Sequence, residues 1–200
     1  VALDFTARAP STPPTSATRA NAVPGMVRGL AALHVRFGKL RWSRLLSPAE
    51  ELARFGYTAS RAFVRDLALV AGPLLEDPES RKVFARPDGS PVQEGDQIRQ
   101  LDLAATLARI RGGGAGEFYR GILARQLVDA ANSVGGSLTF EDLRDYRPQW
   151  REAIFFPFGD HSLYFAPPPA GGGVAEAMMI RMLDVDDRYS DAPASERPHL

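Results

Sequence analysis

The chain opens on an apolar-polar alternation, Leu3-Asp4-Phe5-Thr6, which reads as a strand running toward Arg8 and Pro10. Residues 10–25, PSTPPTSATRANAVPG, follow as an irregular, at least partly exposed loop. Helical periodicity then takes over. Pro24 suits a first helical position, Met26, Leu30, Leu33 and Phe37 recur at helical spacing, and Gly38 supplies the stop. Gly25 and Gly29 fall on another side of that helix, where they allow close packing. Ser47-Pro48-Ala49-Glu50 reads as a capping box opening a second helix that ends at Gly56. A third helix is predicted from Ser60 through Phe63, Leu67 and Val70.

Residues 85–96, ARPDGSPVQEGD, carry turn chemistry between short extended pieces. Leu103, Leu107 and Ile110 predict a helix ended by Gly112-Gly113-Gly114. Tyr119, Ile122, Leu123, Leu127 and Ala131 predict another, ended by Gly135-Gly136. Thr139-Phe140-Glu141-Asp142 is a capping box with Asp in place of Glu, opening a short helix that stops before Pro148. Strand character returns only at Ala153–Phe158 and Ser162–Phe165, which flank Gly159-Asp160-His161 as in a hairpin. Pro157 limits the first run to an edge strand or a bulge. Residues 166–173, APPPAGGG, are stiff and then flexible, and Val174, Met178, Met179 and Met182 begin a further helix. The predicted helices bury one face only and the strands are too few to close a sheet. The pattern is that of a helical layer resting on another layer, so the chain reads as part of a domain.

Composition narrows the chemistry. The 200 residues carry 24 basic and 24 acidic side chains, without the basic excess of a general nucleic-acid binder. No apolar run reaches the length of a membrane span, and no charged-then-apolar signal peptide is visible. The absence of cysteine excludes disulfides, thiolate metal sites and cysteine nucleophiles for this chain. Lys39 and Lys82 are the only lysines, and the Arg-rich remainder suits either carboxylate recognition or coding bias.

Several chemical signals weaken when their context is weighed. Arg111–Gly116, RGGGAG, follows a helix and lacks the spacing of a dinucleotide fingerprint, so a helix-to-helix loop is expected. Asp160-His161-Ser162 holds the residue types of a hydrolytic triad, but adjacent strand residues face opposite sides, and a hairpin turn is expected. His34 and His199 have no partners at metal-ligand spacing. Asp184, Asp186 and Asp187 lack the glycine and glutamate of a calcium loop. APPPAGGG is more distinctive: its prolines fix an extended path and its glycines let another backbone approach, although a structural corner would need no more.

Taken in order, the motifs resemble the large-subunit region of gamma-glutamyltransferases, which are N-terminal nucleophile hydrolases. LDFTARAP (residues 3–10) looks like the family's strand ending in Arg-Glu-x-Ala-Pro, and VPGMVRGL (23–30) is similar to its helix-opening Pro-Gly-x-Val-x-Gly. RFGKLRW (36–42), SPAEELARFGY (47–57), LDLAATLARI (101–110), GEFYRGILA (116–124), GGSLTFEDLRDY (135–146) and PPPAGGG (167–173) follow in the expected order. The resemblance implies an α/β (α+β) fold, the four-layer αββα sandwich, to which this piece contributes mainly helices. It also implies that residues 1–200 are part of one larger domain, an internal piece shortened at both ends.

The implied chemistry is cleavage of a gamma-glutamyl or related acyl amide, with transfer of the acyl group to water or an amine. A threonine freed by self-cleavage of the precursor acts as nucleophile, its own amine acts as base, and no metal or organic cofactor takes part. That threonine normally stands in a Thr-Thr-His context, which none of Thr6, Thr12, Thr15, Thr18, Thr58, Thr106 and Thr139 has. The catalytic residue is therefore expected outside this chain, which alone should be inactive. The expected partners are the remainder of the precursor, bearing that threonine, and a small amide substrate; relatives are usually exported.

One substrate contact of the family falls in this segment. Its strand-end arginine, which pairs with the alpha-carboxylate of the glutamyl group, aligns with Thr6, and the neighbouring glutamate aligns with Ala7. Arg8 stands two residues on. In an extended strand it would face the same side as Thr6, displaced by about 7 Å. Arg8 and Thr6 are thus the expected substrate-binding residues: either Arg8 meets a longer acidic acyl group, or carboxylate recognition is lost. The loss of arginine at Thr6 equally suits a beta-lactam side-chain acylase on the same scaffold. A non-catalytic binding paralogue is the third alternative.

Overall fold

The computed structural model describes residues 1–13, 21–185 and 188–197. In chain order its elements are β1 (Ala2–Asp4), α1 (Met26–Phe37), α2 (Trp42–Phe55), β2 (Tyr57–Thr58), α3 (Arg61–Ala68), α4 (Ala71–Glu76), α5 (Pro78–Phe84) and β3 (Gln97–Ile98). They continue with α6 (Leu101–Gly113), α7 (Gly116–Arg120), α8 (Ile122–Ser133), α9 (Phe140–Asp145), β4 (Gln149–Arg151), β5 (Ile154–Phe158), β6 (His161–Phe165), α10 (Gly171–Val185) and α11 (Arg188–Asp191). They fall into two compact units, one made of Val1–Thr6 with Arg147–Leu200, the other of Ala7–Tyr146.

In the first unit β1 pairs antiparallel with β4, Leu3 opposite Trp150 and Asp4 opposite Gln149. The segment forming β4 carried no strand signal of its own: three residues are too short to show a period, and pairing with β1 creates the strand. β5 and β6 form the predicted hairpin, with a turn of only Gly159-Asp160, so His161 begins β6 opposite Phe158. Gly159 takes the left-handed conformation (φ 54°) that such a tight turn favours. The Phe156 and Ile154 face meets α10, where Ala177 is buried and the Arg181 guanidinium lies 5.8 Å from the Phe156 ring centroid. α10 begins at Gly171, three residues before the predicted Val174. Asp186, Asp187 and His199 lie outside the described residues.

The second unit holds two apolar clusters. One joins Val23, Tyr119, Ala124, Leu138, Leu143 and Tyr146; the other joins Ala59, Leu67, Val92 and Ile98. Gly29 in α1 and Gly25 just before it are buried, whereas Met26, Leu30 and Phe37 remain exposed. α1 begins at Met26, so Pro24 precedes the helix instead of filling its first position; the N-cap is Gly25, which provides no side-chain bond. The α1 N-terminus is served from elsewhere: the Tyr119 hydroxyl accepts from the Arg28 N–H (3.2 Å) and donates to the Pro24 carbonyl (2.7 Å). Arg28 Nη1 in turn donates to the carbonyls of Leu143, Arg144 and Tyr146 around the end of α9.

Further helix boundaries differ from expectation. α2 starts at Trp42, five residues before the predicted cap, with Pro48 inside it. The Ser47 hydroxyl bonds back to the Ser43 carbonyl (3.0 Å), and Glu50 pairs with Arg111 (2.7 Å) and Arg54 (2.9 Å) instead of closing a capping box. Docking overrides the local signal: the Trp42 indole N–H donates to the Ile110 carbonyl of α6 at 3.0 Å. The helix expected from Tyr119 to Ala131 is split into α7 and α8 at Gly121, whose backbone is extended (ψ −157°). α3 ends at Ala68, short of the expected Val70, and α6 runs on through Gly113, so only Gly114 and Ala115 of RGGGAG lie between α6 and α7. Ser60 caps α3 through the Phe63 N–H, and Thr139 and Asp142 form a reciprocal capping box on α9.

Candidate functional site

A pocket of about 270 Å³ in the first unit gathers three segments that lie apart in the sequence. One wall is β1 and its continuation through Phe5 and Thr6, another is Arg151 at the end of β4, and the third is the corner Ala166–Ala170. The corner is the strand-to-helix link between β6 and α10. Of its glycines, Gly173 is the one that another backbone approaches: a Cβ there would run into the Ala166 carbonyl oxygen and nitrogen, whereas Gly171 and Gly172 have nothing within 4 Å.

Asp4 organises the polar part of this pocket. Its Oδ1 accepts from the Thr6 N–H (3.1 Å) and the Thr6 hydroxyl (2.7 Å). Its Oδ2 accepts from Nε (3.3 Å) and Nη2 (3.1 Å) of Arg151. Arg151 stands opposite Ala2 in the ladder, so it reaches Asp4 diagonally along one face. Its Nη2 also donates to Gln149 Oε1. The Thr6 hydroxyl, then the Thr6 N–H and Arg151, hold the Asp4 carboxyl below its ordinary range. Asp4 is therefore a carboxylate at neutral pH, with both oxygens engaged.

The Asp4 side chain accepting from the N–H two residues on has the hydrogen bond of an Asx turn. β1 stops at Asp4. Thr6 lines the pocket just described. Arg8 belongs to the second unit, where its backbone bridges Val23 (N–H to carbonyl 3.2 Å, and 2.7 Å in return) and its guanidinium lies 5.4 Å from the Tyr146 ring centroid. It lines a separate pocket of about 310 Å³ with Glu141, Asp142 and Asp145. Asp142 ties that region together: Oδ1 accepts from the Ser11 N–H (2.9 Å) while Oδ2 serves Thr139. Burial pushes the Asp142 carboxyl upward, but the hydrogen bonds from Thr139 and Ser11 outweigh it and leave it below the ordinary range.

Arg151 and Asp4 were missed as site residues. Asp-x-Thr is a readable turn signal, but the Arg151 contact spans most of the chain and has no local signature. Among the described residues no group of three or more His, Asp or Glu side chains is arranged to hold a metal, and no helix is long and apolar enough to cross a membrane.

The sequence profile described as Gamma-glutamyltranspeptidase matches residues 4–199. The glutathione hydrolase proenzyme of Pseudomonas aeruginosa is 39% identical over 81% of this chain and 28% of its own length. The acylase ACY 1 proenzyme of a Pseudomonas species is 33% identical over 83% of this chain and 30% of its own. Among solved structures, the gamma-glutamyltranspeptidase of Helicobacter pylori superposes with a TM-score of 0.85 at 28% identity, covering 98% of this chain and 61% of that one. The chain thus spans under a third of the length of these two curated relatives.

Proposed function

Because this chain belongs to the gamma-glutamyltranspeptidase family, with the mixed helix-and-strand fold of N-terminal nucleophile hydrolases, we propose that it is a large-subunit part of an enzyme that cleaves gamma-glutamyl or related acyl amides. The profile match over residues 4–199 carries this reading. In it, residues 1–200 belong to one domain completed by the rest of a precursor. A threonine of that remainder attacks the amide carbonyl, its own amine takes the proton, and oriented donors stabilise the oxyanion. The acyl-enzyme then passes its acyl group to water or to an amine. This chain contributes no nucleophile. Its contribution is the pocket at the end of β1, with Thr6 in the lining.

The similarity to an acylase proenzyme, together with threonine at position 6, favours a second reading: amide hydrolysis with an acyl group other than gamma-glutamyl. A non-catalytic paralogue is the third. The test is expression of the whole precursor. Self-cleavage into two subunits and release of 4-nitroaniline from acyl 4-nitroanilides are expected; an uncleaved, inactive precursor would leave the binding role. Arg8 has its own arm in that assay. If it meets an acidic acyl group, Arg8→Ala raises KM for gamma-glutamyl 4-nitroanilide; an unchanged KM removes Arg8 from substrate binding.

A further inference from the structure

We propose that the pocket at the end of β1 selects an uncharged acyl group, because Arg151, the only cation in its lining, is already neutralised inside the pocket by Asp4. The inference rests on the amide-cleaving reading and names the substrate class of the same site. Two charges line the pocket, and they face each other: the Asp4 side chain is 12% exposed, Arg151 is 37% exposed, and they meet at 3.1 Å. The remaining walls are Leu3, Phe5, alanines, prolines and Thr6.

Four of the donors that could receive a substrate carboxylate are turned to Asp4 instead. The Thr6 hydroxyl hydrogen and N–H both point to Asp4 Oδ1. Nε and Nη2 of Arg151 both converge on Asp4 Oδ2, and Nη2 reaches Gln149 as well. An incoming carboxylate would therefore have to displace Asp4 from the guanidinium, or sit within a few ångströms of an Asp4 charge that repels it about as strongly as Arg151 attracts it. In addition it would lose its hydration among apolar walls. An uncharged group pays neither cost, and the volume is close to the roughly 300 Å³ lower bound of small-molecule pockets. The matching substrates are amides with a short uncharged acyl chain.

The test uses the whole precursor and two ligands of nearly equal shape, glutaramide and the glutaramate monoanion, titrated calorimetrically. Glutaramide is expected to bind at least about tenfold more tightly, the scale of one charge-assisted hydrogen bond. Asp4→Asn keeps the shape and the Thr6 acceptor while removing the neutralising charge, and it should shift the ratio at least about tenfold toward glutaramate. Equal or tighter binding of glutaramate by the unaltered protein overturns the inference, as does binding of neither ligand or a ratio insensitive to Asp4→Asn in a folded variant. The unaltered protein decides alone if that variant does not fold. Turnover of the corresponding 4-nitroanilides separates the two readings. Selective binding without turnover sinks the enzyme reading only, whereas turnover that prefers the anionic acyl group sinks this one only.

Discussion

Replacing Tyr119 with Phe should loosen the start of α1 while leaving the surrounding packing in place. The ring is fully buried, stacks on Tyr146 with centroids 6.3 Å apart, and carries the Arg28 guanidinium 4.0 Å from its centroid. Phe retains all of that. What disappears is a hydroxyl that donates to the Pro24 carbonyl and accepts from the Arg28 N–H, the third amide of a helix whose N-cap glycine has no side chain to offer. Burial pushes the Tyr119 phenol above its ordinary value, so it remains a donor throughout the neutral range. Losing a side-chain cap costs about 1 kcal/mol, and leaving the Pro24 carbonyl half-buried without a partner adds about another. A local loss of about 2 kcal/mol corresponds to roughly 30-fold faster opening-limited exchange, at tenfold per 1.4 kcal/mol. Hydrogen-exchange mass spectrometry on the whole precursor reads this directly, with peptides from Met26–Phe37 compared against the β5–β6 hairpin. Exchange of α1 within twofold of the unaltered protein would refute the assignment of Tyr119 as its cap.

Asp142→Ala removes the capping box of α9 and the Ser11 tether together. A loss of about 1–2 kcal/mol is expected, read as faster exchange in Phe140–Asp145. Gly173→Ala drives a Cβ into the Ala166 backbone and should lower the melting temperature through about 1–3 kcal/mol of overpacking, whereas Gly172→Ala, with open space around it, should be neutral or slightly stabilising; equal effects would contradict the close approach at Gly173. Asp4 and Asp142 both sit below their ordinary range in the fold, while in the unfolded chain an Asp titrates near pH ~3.9. The unfolded state therefore binds more protons as pH falls, so their stabilisation is complete above that value and is lost as pH drops through the folded values. Melting temperature should fall progressively below about pH 4; a rise there would contradict the sign.

The sequence by itself determined the local pieces whose signals act over a few residues. Thr139 and Asp142 cap α9, Ser60 caps α3, and Gly159 turns the β5–β6 hairpin. Each rests on hydrogen bonds or backbone freedom available to neighbours in the chain. The order of eight motifs determined the family for a similar reason, since order along a chain needs no coordinates. Contacts between distant residues were settled only in the tertiary structure. Trp42 bonding to α6 moved the start of α2 past a persuasive Ser-Pro-Ala-Glu signal. Tyr119 capped α1 from 91 positions away. At the pocket, Thr6 lies two residues beyond the end of β1, with its hydroxyl turned to Asp4. The guanidinium that does line that pocket comes from Arg151, 147 positions beyond the carboxylate that neutralises it. Side-chain period predicts which way neighbours point, and only folding decides which remote charges meet.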